Sequence, residues 1–96
     1  MQQQPEMKIS HTGTKRWYLN GKFHREDGPA IEHISGEKQW YLHGNLHREN
    51  GPAIEQPNGE RHWYLNNRRY SFEEYIIKLE KLGLKQKIAD VLFNIG

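Results

Sequence analysis

Three short runs with the same sequence, Trp-Tyr-Leu, occur along the chain at residues 17–19, 40–42 and 63–65. Two residues that tolerate the positive φ angles of a two-residue hairpin turn follow each run. Alternating apolar residues resume after the turn, so the pattern predicts β-hairpins in which Tyr18 faces Phe23 and Leu19 faces Lys22. The three turn pairs are Asn20-Gly21, His43-Gly44 and Asn66-Asn67.

Three-residue connections that end in glycine, at residues 34–36 and 57–59, join each hairpin to the next. A connection of this length takes its glycine in the left-handed region, and it fixes the register of the flanking strands. The resulting cross-strand pairs join opposite charges, Glu32 with Lys38 and Glu55 with Arg61. The sequence therefore predicts an antiparallel meander of about six or seven short strands that is partly apolar on both faces.

The hairpins belong to a repeat of 23 residues. Residues 17–39 and 40–62 are identical at 14 of 23 positions, and all three tryptophans keep the register. The third unit departs from the pattern after Tyr70, which is typical of a terminal repeat, and residues 8–16 resemble a preceding half-unit. Apolar residues that recur in every unit form the predicted core, namely Trp17, Leu19, Trp40, Leu42, Trp63 and Leu65.

The C-terminal segment has a helical pattern. Ser71 and Glu74 have the spacing of a capping box, and Gly83 is a suitable stop for a helix that begins there. Two apolar stripes at helical spacing follow, which predicts a helical hairpin covering one face of the sheet. The stripes are Phe72, Tyr75, Ile76, Leu79 and Leu82, then Leu84, Ile88, Val91, Leu92 and Ile95.

These elements predict one α+β domain: a flexible N-terminus at residues 1–7, a repeat sheet at 8–70 and a helical cap at 71–96. A chain of 96 residues holds a single core. It contains no cysteine, which excludes disulfides and thiolate nucleophiles. The polar start and the absence of a long apolar run give no sign of a signal peptide or membrane span, so we expect a cytoplasmic protein.

The motif Trp-Tyr-Leu-Asn-Gly…His-Arg-Glu-Asp-Gly-Pro-Ala, with a glycine four residues before each Trp-Tyr, resembles the MORN repeat in the variant found in many bacteriophage proteins. The resemblance covers about residues 13–70. It implies an antiparallel β-meander of 23-residue MORN-like repeats that acts as a binding scaffold. It also implies a small phage accessory protein that binds and disables a component of host defence.

The repeated polar residues admit more than one role. His24 and His47 repeat with the scaffold, so packing or hydrogen bonding is favoured over metal binding or catalysis. The Arg25-Glu26 and Arg48-Glu49 pairs favour a ladder of ion pairs over an anion site, since the carboxylates oppose phosphate. No acid, base, nucleophile or ligand cluster converges in the sequence, so we expect neither an enzyme nor a bound metal or cofactor.

Positions at which the units differ are the best candidates for partner recognition, because identical positions serve the scaffold. With net charge only +2, a protein complex of the host is the favoured partner, together with a second copy of the chain. The alternative is a nucleic acid or nucleotide held by the tryptophan, tyrosine and arginine positions. The predicted partner-binding residues lie just after each hairpin turn, along one edge: Lys22, Phe23, Asn45, Leu46, Arg68, Arg69 and Tyr70.

Overall fold

The computed structural model describes residues 3–95 and combines a large antiparallel sheet with a C-terminal helical hairpin. The predicted α+β fold is therefore confirmed. Two helices follow the strands, α1 (Phe72–Lys81) and α2 (Lys85–Ile95). The strands are β1 (Glu6–Ile9), β2 (Lys15–Leu19), β3 (Lys22–Phe23), β4 (Ile31–Glu32), β5 (Lys38–Gln39), β6 (Tyr41–Leu42), β7 (Asn45–Leu46), β8 (Ile54–Glu55), β9 (Arg61–Leu65) and β10 (Arg68–Tyr70).

The main sheet has the order β1-β2-β4-β5-β8-β9-β10, with β3 paired to the second half of β2 and β6–β7 forming a separate ladder. At each of the first two tryptophans, the strand changes its hydrogen-bonding partner. The N–H of Trp17 donates to the carbonyl of Ala30 at 2.8 Å, and its carbonyl accepts from the N–H of His24 at 3.0 Å. Each unit therefore pairs with its neighbour before the tryptophan and forms its own hairpin after it.

The predicted turns and registers are confirmed. All six residues of the three turn pairs have positive φ, as a two-residue hairpin turn of this type requires. Tyr18 pairs with Phe23, and the charged pairs across the longer connections also form. Those charged pairs are Glu32 with Lys38 and Glu55 with Arg61.

The sheet begins earlier than the sequence predicted. Glu6 and Met7 belong to β1 and pair with Tyr18 and Trp17, so the predicted flexible segment 1–7 ends within a strand. Residues 1 and 2 of that segment lie outside the described residues. The alternation of charged and apolar residues in Glu-Met-Lys-Ile is typical of a short strand. The polar glutamines before it led to the prediction of a flexible segment instead.

The helices pack mainly on the third unit, with contacts to the second, and do not cover a whole face of the sheet. Ser71 caps α1 with the predicted capping box, and the core that forms beneath the helices contains one unit's tryptophan and leucine. The other predicted core residues, Trp17, Leu19, Trp40 and Leu42, are half-buried. The buried cluster is Trp63, Leu65, Tyr75, Leu79 and Val91.

Candidate functional site

A guanidinium group lies over the tryptophan ring in each of the first two units. The Cζ atom of Arg25 is 3.8 Å from the ring centroid of Trp17, and Arg48 has the same distance to Trp40. A glycine borders the guanidinium: a Cβ atom on Gly28 would lie 2.9 Å from Cζ of Arg25. Glycine at this position of the repeat therefore leaves space for the arginine.

The same guanidinium groups are also hydrogen-bonded within their own unit. Nη1 of Arg25 donates to the carbonyl of Pro29 at 3.1 Å and to the carboxylate of Glu32 at 3.0 Å. Nη1 of Arg48 does the same with Pro52 and Glu55. Both arginines thus form ion pairs, but with the glutamate seven residues later and, for Arg25, also with Asp27, and not with the adjacent glutamates of the sequence motif.

The repeated histidines connect one unit to the next. Nδ1 of His24 accepts the N–H of His43 at 2.9 Å, and Nδ1 of His47 accepts the N–H of Asn66 at 3.0 Å. Burial, aided by the neighbouring imidazole of His43, lowers the pKa of His24 below its usual value. These contacts support the structural role for the histidines over the metal or catalytic one.

Helix α1 takes the place of a fourth unit at the end of the repeat. Phe72 and Tyr75 pack on Trp63 with ring centroids 5.0 Å away, where an arginine lies in the earlier units. The N–H of Ser71 donates to the carboxylate of Glu74 at 3.0 Å. The equivalent N–H groups of Arg25 and Arg48 donate instead to the next unit.

Tyr75 also fastens α1 to the second unit. Its hydroxyl donates to the carbonyl of Arg48 and lies 3.1 Å from that of Gly51. Burial raises the pKa of Tyr75 to about 12. The sequence indicated Tyr75 only as part of an apolar stripe, because its hydrogen bonds depend on how the helix is placed on the sheet.

The predicted partner-binding residues do not form one surface. Neighbouring residues in a strand point to opposite faces, so Phe23, Leu46 and Arg69 share the face of the tyrosines, which we call the tyrosine face (Tyr18, Tyr41 and Tyr64). Lys22, Asn45, Arg68 and Tyr70 share the face of the tryptophans. The prediction of a continuous edge is wrong for this reason.

The outer edges of β3 and β7 are also occupied by the following hairpin. The carbonyl of Phe23 accepts the N–H of Gly44, and the carbonyl of Leu46 accepts the N–H of Asn67, both at 2.8 Å. Phe23 further contacts Tyr18 and Tyr41, with ring centroids 5.1 and 5.2 Å away. Phe23 and Leu46 thus join units together, and of the three strands that hold the predicted residues only β10 is left at an edge of the sheet.

The three predicted residues of β10, Arg68, Arg69 and Tyr70, border one groove with α1, although the side chain of Arg69 lies on the opposite, tyrosine face. This groove has a volume of ≈ 310 Å³, and we call it the C-terminal groove. Its other residues come from the outer side of α1, which the sequence analysis assigned only to the helical cap. The full lining is Arg68, Arg69, Tyr70, Glu74, Ile77, Lys78 and Lys81.

The charges of the C-terminal groove are mostly positive. Arg68, Lys78 and Lys81 give the groove three cationic side chains, and its one carboxylate, Glu74, accepts the N–H of Ser71. Arg68 lies over the ring of Tyr70, with Cζ 5.4 Å from the centroid. Nη2 of Arg69 lies instead on the tyrosine face, 2.7 Å from Nδ1 of His62. The groove is therefore suited to a negatively charged partner.

A second groove of ≈ 500 Å³ runs between the loops of the first two units and α2. Its cations, Arg25, Arg48 and Lys87, are accompanied by three carboxylates, Glu26, Asp27 and Glu49. The two arginines already bind glutamates of their own units. This groove has no excess charge with which to attract an anion.

Within residues 3–95, no three histidine or carboxylate side chains are arranged to hold a metal ion. None of the helices described is both long and apolar enough to cross a membrane. No protein-family model matches the chain, and no significant match was found among curated proteins or solved structures.

Proposed function

We propose that this chain is a small non-enzymatic binding protein that attaches to an acidic segment of a protein complex through the C-terminal groove. The observation that supports it is the excess of cations around β10 and α1, at the sheet edge that no following unit covers. Bound there, the protein inhibits the complex by occupying its surface.

The chemistry of the groove suits a protein interface. Arginine and tyrosine are the residues most often found at interface hot spots, and Arg68 and Tyr70 supply both. Ile77 adds an apolar side chain that is 51% exposed. Lys78 and Lys81 extend the positive charge along the helix, which would steer an acidic segment toward the groove.

The resemblance to the bacteriophage form of the MORN repeat supports a more specific proposal. According to this proposal, the protein is a phage-encoded inhibitor that acts in the bacterial cytoplasm on a host or antiviral-defence complex.

The alternative, a nucleic-acid or nucleotide binder, is less well supported by the first two units. Arg25 and Arg48 lie over the rings of Trp17 and Trp40, at the place where a base would stack. Both arginines are also paired with glutamates, so neither is free to bind a phosphate. A nucleic acid would therefore have to bind the cations of the C-terminal groove. Nuclease treatment distinguishes this alternative from binding to a protein.

Capture from a bacterial lysate tests the proposal. The chain is immobilised as wild type, as Arg68→Ala/Lys78→Ala, and as the matched control Lys15→Ala/Lys22→Ala, which removes two exposed cations elsewhere. The groove variant should retain one protein complex at least about five-fold less than wild type, since a hot-spot residue contributes 1 kcal/mol or more. The control should match wild type.

Nuclease treatment of the lysate should leave that capture unchanged. Equal recovery by the wild type and the groove variant contradicts the proposal. Recovery that disappears on nuclease treatment indicates the nucleic-acid alternative.

A further inference from the structure

Strand β1 has a neighbour on one side only. Its equivalents 23 and 46 residues later, β4 and β8, each lie between two strands. In the units, the carbonyls of Ala30 and Ala53 accept the N–H groups of Trp17 and Trp40 from the adjacent strand. Met7 occupies the equivalent position in β1, and no strand lies beyond it among the described residues.

The backbone of Met7 points toward this open side. In an antiparallel pair the hydrogen-bonded and non-hydrogen-bonded positions alternate. Trp17, the partner of Met7, uses its N–H and carbonyl on β4 and on His24, away from β1. The Met7–Trp17 pair is therefore a non-hydrogen-bonded one, and the N–H and carbonyl of Met7 and of Ile9 face outward.

The side chains of β1 alternate between charged and apolar. Glu6 and Lys8 lie on the tyrosine face, and Met7 and Ile9 lie beside Trp17 on the opposite face. Met7 is 41% exposed and Ile9 is 57% exposed, which is unusual for large apolar residues at the end of a sheet. All four residues of the strand are exposed.

We propose that β1 pairs with β1 of a second copy, antiparallel and across a two-fold axis centred on Met7. In this register Met7 lies opposite Met7, and Glu6 of each copy lies opposite Lys8 of the other. Both methionines exchange N–H to carbonyl bonds, and two opposite-charge pairs form on the tyrosine face. The proposal does not depend on the C-terminal groove, which lies at the other end of the sheet.

The sequence of β1 selects this register over its neighbours. A shift by one residue would place Met7 opposite Lys8 with side chains on mismatched faces. A shift by two would place Lys8 opposite Lys8, and like charges directly across a strand pair are destabilising. The alternating charges of β1 thus disfavour the other registers between two copies of β1 and favour one closed dimer.

Charge reversal tests the register. Wild type should show a concentration-dependent monomer–dimer equilibrium in sedimentation velocity from about micromolar to millimolar concentration. Glu6→Lys and Lys8→Glu should each shift this equilibrium toward monomer by at least about ten-fold in dissociation constant, since each replaces two attractive pairs by two repulsive ones. An equimolar mixture of the two variants should dimerise again, because every cross-strand pair then joins opposite charges.

The mixture also controls for folding, because each variant must be folded to restore the dimer with the other. Three results overturn the proposal: wild type that remains monomeric at millimolar concentration, single variants that dimerise as well as wild type, or a mixture that remains monomeric. Growth of larger species with concentration would also overturn it, since that indicates head-to-tail pairing of the two sheet edges.

Discussion

Arg25 and Arg48 show how one side chain holds together the parts of a repeat unit. Each guanidinium is held between a tryptophan ring and a glycine, and it bonds to a carbonyl and a carboxylate of its own unit. The sequence predicted ion pairs for both arginines, although with other carboxylates, and it did not indicate the role of Gly28. Because neither charge nor turn propensity shows where a long side chain lies, the need for space beside Gly28 was not predictable.

The space beside Gly28 gives the first prediction. Gly28→Ala should destabilise the protein by about 1 kcal/mol, since the new methyl group would displace the guanidinium of Arg25 from its hydrogen bonds to Pro29 and Glu32. The same substitution in an Arg25→Ala background should cost much less, because the overlapping group is gone. Urea unfolding of the four proteins measures this coupling, and equal costs in both backgrounds would show that the space is not needed for the arginine.

Stability should also depend on pH through His24. Its folded-state pKa is lowered, so the unfolded chain binds more protons and protonation favours unfolding. The stabilisation is complete above the unfolded value of about 6.5 and is lost as pH falls through the lower folded value. The free energy of unfolding should therefore decrease as pH falls below about 6.5.

The variant His24→Asn tests this dependence, because its side-chain oxygen can still accept the N–H of His43 without titrating. Its stability should change less with pH than that of wild type. His11→Asn, at an exposed histidine, is the control and should keep the wild-type slope. A slope in His24→Asn equal to that of wild type would assign the acid sensitivity to other groups.

Among the elements, α1 determines how the repeat ends. It supplies rings for Trp63, a carboxylate for the N–H of Ser71 and a hydroxyl for the second unit. The capping box and the helix were predictable, because both depend on residues close together in sequence. The placement of the helix was not, since an apolar stripe does not specify which part of a sheet it covers.

Tyr75→Phe should destabilise the protein by about 1–3 kcal/mol, because it removes the hydroxyl that donates to the carbonyl of Arg48 and lies beside that of Gly51. Tyr64→Phe, on the tyrosine face, is the matched control and should cost less. Thermal or urea unfolding measures both. Equal stabilities of Tyr75→Phe and wild type would mean that the hydroxyl does not fasten α1 to the sheet.

At the scale of the whole molecule, the core lies at one end. The buried cluster joins the third unit to both helices, whereas the tryptophans of the first two units are covered by their own arginines. The predicted core was correct at Trp63 and Leu65, where a helix covers the sheet. It was too broad elsewhere, because a repeated apolar residue can be shielded by a neighbouring side chain.

Deletion of residues 71–96 should therefore expose Trp63 and Leu65 together, because it removes the helical side chains that pack on them. The truncated chain should bind a hydrophobic dye and lose its cooperative melting transition. A truncated chain that stays monomeric and melts cooperatively would show that the repeat is stable without its helical end.

The central claim is that binding occurs at the C-terminal groove. Hydrogen–deuterium exchange of the chain, alone and bound to the complex it captures, tests this claim most directly. The account predicts that binding slows exchange at residues 68–82, on β10 and α1, and leaves the first two units nearly unchanged. Slower exchange confined to residues 15–46, with no change at 68–82, would contradict it.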